Sequence, residues 1–156
     1  MSYNAYETVL YLLSRQNYSE FKLRNKLKQK KFPKEEIDLA IEKAKEKKYF
    51  NEESYVRSRI IHSVQKGEST HFIKNRLAQE SIEVTKSEIE DLVNDNQLDQ
   101  FEILKSLINK KLKGEEFKNL PPKKQSSLFN HLLRKGHRFD EIKRAIKDIP
   151  IEDYTP

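Results

Sequence analysis

The residues best suited to chemistry in this sequence are four histidines, and their spacing argues against catalysis. No two of them stand three or four positions apart on a predicted helix, and none adjoins a carboxylate pattern typical of a metal site: His62, His71, His131 and His137. The chain has no cysteine, which excludes disulfides, thiolate metal ligands and a cysteine nucleophile. It also lacks a glycine-rich phosphate loop and a nucleophile elbow. We therefore expect no enzymatic activity, no metal and no cofactor, and interpret the histidines as exposed or half-buried structural residues.

Basic side chains are the second chemical feature. The 156 residues carry 31 Lys and Arg against 25 Asp and Glu, a net charge of +6. The charge is uneven, at +5 over residues 1–50, −5 over residues 51–104 and +6 over residues 105–156. A basic balance favours acidic partners such as nucleic acid or an acidic protein groove. A single duplex-binding surface would not need an acidic middle, because phosphate repels it.

The candidate binding residues are cations that flank or lie near the apolar stripes of predicted helices. At 100° per residue, Leu23 and Leu27 point to the core, and lysines and arginines lie on both sides of them. Such cations either contact phosphate or an acidic groove, or form an ordinary solvated surface. The candidates for partner or nucleic-acid binding are Lys22, Arg24, Lys26, Lys74, Arg76, Arg134, Lys135, Arg138 and Arg144.

These residues belong to a pattern that repeats about every 50 residues. Residues 17–41 align without a gap to residues 122–146. They also align at an offset of 50 to the middle of the chain, where a two-residue insertion then brings Ile89 onto Ile37 and Val93 onto Ile41. The register keeps two apolar i,i+4 pairs in all three copies, at Leu23–Ile73–Leu128, Leu27–Leu77–Leu132, Ile37–Ile89–Ile142 and Ile41–Val93–Ile146. We therefore predict three tandem units over residues 1–50, 51–97 and 98–149, followed by a tail over residues 150–156.

Each unit is predicted to contain three short helices. They cover residues 5–15, 20–30 and 34–48, then 53–65, 70–80 and 86–95, and finally 99–112, 123–134 and 140–148. Ser19 has the position of an N-cap, and Thr85 with Glu88 has the spacing of a capping box. No segment alternates with period two, and only three glycines and five prolines are present, so we predict an all-α fold.

The turn after the second helix of each unit carries a more specific prediction. The register places Lys31, Ser81 and Gly136 at one equivalent position, where helices often end with a left-handed residue. We expect a positive φ at all three. The helix-turn-helix that follows from this pattern is a poor candidate for sequence-specific DNA reading, because carboxylates such as Glu35 and Glu36 begin the helix after the turn.

The sequence also predicts a cytoplasmic protein without membrane association. No apolar run approaches the roughly 20 residues of a membrane span, and the first residues lack the basic and apolar regions of a signal peptide. The absence of cysteine fits a reducing compartment.

Several short stretches, taken in order, resemble the RecX family. They are Leu12–Ser19 (LLSRQNYS), Leu23–Leu27, Lys30–Phe32, Tyr49–Tyr55 (YFNEESY), Lys66–Gly67 and Leu132–His137 (LLRKGH). Each stretch is short, and their order and spacing carry the specificity. The resemblance covers residues 5 to about 148.

The resemblance implies a non-catalytic modulator of the bacterial recombinase RecA, built from three three-helix repeats in an elongated, curved array. Such proteins bind in the groove of the RecA nucleoprotein filament and suppress its extension, ATP hydrolysis and strand exchange. The implied role lies in regulating DNA repair, homologous recombination and the SOS response. The expected partners are the RecA filament and, weakly and without sequence preference, DNA; the expected state is a monomer.

Two alternatives of other classes stay open at this stage. One is a general nucleic-acid-binding helical protein without sequence preference. The other is a helical scaffold that binds no nucleic acid. A pull-down with RecA, with and without single-stranded DNA, separates all three.

Overall fold

The structure, a computed structural model, describes residues 2–149, so the predicted tail over residues 150–156 lies outside it. This part of the chain contains nine α-helices, a short 3-10 helix at Phe117–Asn119 and no strand. The helices are α1 (Ala5–Arg15), α2 (Glu20–Gln29), α3 (Lys34–Glu46), α4 (Glu52–Gln65), α5 (Thr70–Gln79), α6 (Lys86–Asp95), α7 (Gln100–Leu112), α8 (Pro122–Arg134) and α9 (Phe139–Asp148). The all-α prediction is confirmed, and every helix ends within two residues of its predicted bounds. None of the helices described is both long and apolar enough to cross a membrane.

Local hydrogen bonds explain where several helices begin. The Ser19 hydroxyl accepts the backbone N–H of Lys22, as its predicted cap position requires. Thr85 and Glu88 form the predicted capping box at the start of α6. A second capping box, which was not predicted from the sequence, begins α1 at Asn4. These caps satisfy N–H groups that have no partner inside the helix.

The chain divides into two compact units. Unit 1 comprises Met1–Arg59 together with Ala78–Ile82, so it holds α1, α2, α3 and the first part of α4. In its core, α1 packs on α3 and α2 closes the third side. The buried side chains include Val9, Leu23, Leu27 and Ile41, of which the last three are apolar positions of the predicted repeat.

Among the described residues, unit 2 comprises residues 60–77 together with residues 83–149. Its last three helices share a core in which α9 packs on both α7 and α8. The buried members of that core are Leu104, Ile108, Leu112, Leu128, Leu132, Ile142 and Ala145. The Lys105 ammonium of α7 also bonds the Asp148 carboxylate of α9 at 2.8 Å, which joins the two helices at their surface.

The turns after α2, α5 and α8 have the predicted left-handed backbone. The φ angles are 66° at Lys31, 58° at Ser81 and 90° at Gly136. That agreement supports the proposed repeat register. The same conformation occurs, without having been predicted, at Lys48 and Gln97, which follow α3 and α6. Lysine, serine and glutamine pay a steric cost there that glycine avoids.

Candidate functional site

The candidate cations of α2 differ in how far they are already paired. The Lys22 ammonium lies 2.8 Å from a Glu80 carboxylate oxygen. The Arg24 guanidinium bonds Asp38 at 2.5 Å and lies 3.7 Å from Glu20. Lys26 is exposed and reaches no carboxylate within residues 2–149. Of the three α2 candidates in unit 1, only Lys26 presents a charge that no described residue balances.

Glu80 forms the centre of a polar network inside unit 1. The residue is only 6% exposed, and it accepts a hydrogen bond from the Tyr55 hydroxyl at 2.9 Å. Arg59 donates to the same hydroxyl and also lies 3.4 Å from the second oxygen of Glu80. Burial raises the pKa of Glu80, but hydrogen bonds from Lys22 and Tyr55 and the Arg59 charge outweigh it and hold the pKa below its ordinary value. Lys22 is therefore part of a structural network as well as a binding candidate.

Three of the candidates meet in a cleft of unit 2. The cleft has a volume of about 730 Å³ and is lined by residues of α5, α6, α7, α9 and the turn before α9. Lys74, Arg138 and Arg144 all line it, whereas Arg76, Arg134 and Lys135 are not among its lining residues. Residues far apart in the sequence thus form one concave surface that carries several charged and polar side chains.

The charged lining of the cleft is mixed, with cations in excess. It comprises Lys74, Lys86, Arg138 and Arg144 against Glu90 and Glu141. Lys86 lies 3.7 Å from Glu90 on the same helix, and Arg138 lies 3.4 Å from Asp140. Within the described chain, Lys74 and Arg144 reach no carboxylate, and these two charges are available to an anionic group.

An aromatic ring holds Arg144 in place. The Arg144 guanidinium lies 5.3 Å from the centroid of the Phe101 ring, a cation–π arrangement. Beside the ring, the Thr70 hydroxyl bonds the Gln100 amide oxygen at 3.1 Å, and both residues line the cleft. A guanidinium held over a ring loses less freedom on binding than a mobile one, so Arg144 is prepared to receive a carboxylate or phosphate.

One wall of the cleft is a junction between two turns of unit 2. The Ser69 N–H donates to the Lys135 carbonyl, and the Lys135 ammonium donates to the Lys66 carbonyl, each at 2.9 Å. The His137 Nε2 atom lies 2.5 Å from the Gly67 carbonyl oxygen. The prediction that all four histidines are exposed or half-buried is therefore wrong for His137, which is buried because its ring satisfies this carbonyl. Lys135, a predicted contact residue, is engaged in this junction.

The remaining candidates of unit 2 lie at the surface. Arg76 is half exposed, lies 3.7 Å from Glu68 and covers the Phe72 ring. Arg134 is exposed and close to His131. Burial lowers the pKa of His131, and the neighbouring positive charges, including that of Arg134, lower it further. His131 is thus predominantly neutral near pH 7.

The sequence could not single out the partners that decide these roles. Phe101 and Glu141 lie within regular helices and Glu80 directly follows α5, and a carboxylate or an aromatic residue at such positions has no local mark of function. The repeat register gave one indication that His137 is buried, because this residue aligns with the apolar Phe32 and Ile82. In the described chain, no three His, Asp or Glu side chains are grouped so that they could hold a metal ion.

Comparison with known proteins gives a consistent result over most of the chain. Residues 5–43 match the family model for RecX, first three-helix domain. Regulatory protein RecX of Haemophilus influenzae strain PittEE is 32% identical over 142 residues, covering 91% of this chain and 92% of the relative. Regulatory protein RecX of Vibrio vulnificus is 29% identical, with 91% and 90% covered.

Solved structures agree with the fold. A crystal structure of regulatory protein RecX superposes with a TM-score of 0.65 at 25% identity, covering 92% of this chain and 71% of that one. The crystal structure of RecX from Lactobacillus salivarius gives the same TM-score at 22% identity, covering 93% and 94%. The helices described above therefore form a fold already seen in crystals.

Proposed function

The chain belongs to the RecX family of regulatory proteins, and from this premise we propose that it regulates the bacterial recombinase RecA without catalysis. It binds the filament that RecA forms on single-stranded DNA and inhibits its extension, ATP hydrolysis and strand exchange. In this way it limits recombination and repair. It acts as a monomer in the bacterial cytoplasm.

The observation that supports this proposal most directly is the cleft of unit 2. A regulator that works by binding needs a surface whose charges are not already satisfied by its own chain. Lys74 and Arg144 meet that condition within residues 2–149, and Phe101 holds one of them ready. Charges of this kind speed association and set specificity with a charged partner.

A titration of ATP hydrolysis tests the mode of inhibition. A protein that blocks growth at a filament end should act with far fewer molecules than there are RecA protomers, because one bound molecule stops many additions. We expect RecA ATP hydrolysis on single-stranded DNA to fall at substoichiometric amounts of this protein. The measurement is the steady-state hydrolysis rate against the molar ratio of the two proteins.

A pull-down separates this function from general nucleic-acid binding. Tagged protein is mixed with RecA, with and without single-stranded DNA and a slowly hydrolysed nucleotide. Recovery of RecA with the filament supports the proposal. The non-specific nucleic-acid-binding function would replace the proposed one if two results were found together. The tagged protein would recover DNA without RecA, and the rate of ATP hydrolysis would change only when the protein coats all the DNA.

A further inference from the structure

We propose that the cleft of unit 2 receives a protein segment that carries both an acidic and a basic side chain, and not the phosphate backbone of DNA. The inference rests on the proposed function, in which the partner is the RecA filament, and it names what the cleft takes from that partner. In it, Arg144 and Lys74 hold the acidic group, and Glu141 holds the basic one.

The arrangement of charge favours a mixed ligand. A single strand presents one negative charge at every nucleotide, so each carboxylate near its path weakens binding. Glu141 and Glu90 both line the cleft alongside the cations. Glu90 is partly balanced by Lys86, whereas no lysine or arginine of the described chain pairs with Glu141, which lies 3.8 Å from the Nδ1 atom of the His137 ring. Within the described chain, the cleft thus offers a carboxylate that no lysine or arginine pairs, beside two cations, Lys74 and Arg144, that no carboxylate pairs.

The polar groups between the charges also suit a polypeptide. Thr70 and Gln100 line the cleft and bond each other at 3.1 Å, so their remaining donors and acceptors can meet backbone N–H and C=O groups. Arg144, held over Phe101, offers the planar fork that pairs with a carboxylate through two hydrogen bonds. The Glu141 carboxylate repels an acidic segment that has no basic side chain to pair with it. The cleft therefore selects mixed-charge segments over purely acidic ones.

The test is a single substitution, Glu141→Gln, for which a mixed-charge protein segment and a DNA phosphate backbone lead to opposite expected effects on affinity. Glu141→Gln keeps the shape of the side chain and removes its charge. A mixed-charge segment then loses a partner, and we expect affinity for RecA filaments to fall about fivefold or more, with affinity for single-stranded DNA alone unchanged. A phosphate ligand loses a repulsion, so both affinities would rise. Labelled full-length protein is titrated with oligothymidylate alone, and with RecA filaments on oligothymidylate and a slowly hydrolysed nucleotide, by fluorescence anisotropy.

Arg144→Gln and Lys74→Gln complete the experiment. Each should weaken filament binding while leaving the affinity for DNA alone within about twofold. Glu115→Gln and Lys110→Gln serve as matched controls, because both are exposed residues of unit 2 outside the cleft lining. Thermal unfolding checks that every variant folds as the unaltered chain does.

The outcomes distinguish the two proposals. Normal filament binding by every cleft variant, or a loss of DNA affinity equal to the loss of filament affinity, overturns the inference and leaves the proposed function standing. Failure of the unaltered chain to bind filaments overturns the proposed function and this inference with it.

Discussion

At the scale of single residues, backbone conformation links Lys31, Ser81 and Gly136 despite their different side chains. All three have left-handed φ values, and only glycine adopts them without steric cost. At Gly136 a second constraint operates, because an added Cβ would lie 2.3 Å from the Ser69 hydroxyl oxygen and 2.6 Å from the Phe72 Cβ. Glycine is the residue that both adopts the left-handed φ without strain and leaves this space free, and glycine occupies position 136.

Substitution at these turns should therefore have opposite effects. We expect Gly136→Val to lower the free energy of unfolding by about 2–4 kcal/mol, from backbone strain together with the collision at the junction. Lys31→Gly should be neutral or stabilising by up to about 1 kcal/mol, because it relieves the Cβ strain. Urea unfolding measures both. Lys30→Gly is the control, since φ at Lys30 is −83° and glycine gains nothing there.

The buried carboxylate of Glu80 predicts a dependence of stability on pH. Its pKa lies below the ordinary value of 4.5, so the unfolded chain binds this proton more readily than the folded one. The stabilisation is complete above that value and is lost as pH falls through the lower, folded-state pKa. We expect Glu80→Gln to cost about 1–3 kcal/mol at pH 7 and the difference from the unaltered chain to shrink below pH 4.5.

Urea unfolding at a series of pH values checks this prediction. The exposed Glu46→Gln variant is the matched control and should change stability little at any pH. A Glu80→Gln deficit that stayed constant into acid would show that the lost contacts, and not the ionisation of Glu80, stabilise unit 1.

At the scale of elements, the helices depend on short-range devices that recur along the chain. Ser19, Thr85 and Asp99 each accept backbone N–H groups at a helix start. The repeated left-handed turns are a second such device. We retain three tandem repeats over residues 1–50, 51–97 and 98–149 as a proposal that these devices support.

The cap of α6 provides a test at this scale. Thr85→Ala removes the hydroxyl that accepts the Glu88 N–H at 3.1 Å and disrupts the capping box. We expect a loss of about 1 kcal/mol in the free energy of unfolding. Thr85→Ser keeps the acceptor and should lose little. Equal losses in the two variants would mean that the methyl group, and not the cap, accounts for the effect.

At the scale of the whole molecule, the charges predict how the protein meets DNA. The net charge of +6 attracts phosphate, but part of it is engaged, since Lys22 and Arg24 are paired within unit 1. We expect weak binding to single-stranded DNA without sequence preference. If about four phosphates are neutralised, log affinity should fall with log salt at a slope near −3.

Anisotropy titrations with oligonucleotides of different sequence, over a range of salt concentrations, measure that slope. Lys26→Gln should reduce it, because this exposed cation has no carboxylate partner among the described residues. Tight binding that survives high salt, or a strong preference for one sequence, would contradict the prediction.

The amino-acid sequence by itself determined the helices, the caps and the left-handed turns. These features depend on residues three or four positions apart, such as Thr85 with Glu88, so their physical causes lie within a short window of sequence. The order of short motifs along the chain also indicated the family, and the apolar positions of the three copies recur about every 50 residues.

Only the tertiary structure decided which of the nine candidate cations are already paired within the described chain. Lys22 pairs with Glu80, and Lys135 donates to the Lys66 carbonyl. The partners in each contact are more than 50 residues apart, so no local sequence pattern could predict them. Lys74 and Arg144 come together in the cleft for the same reason. A charge is available or satisfied according to its neighbours in space, and packing of distant helices, not their periodicity, sets those neighbours.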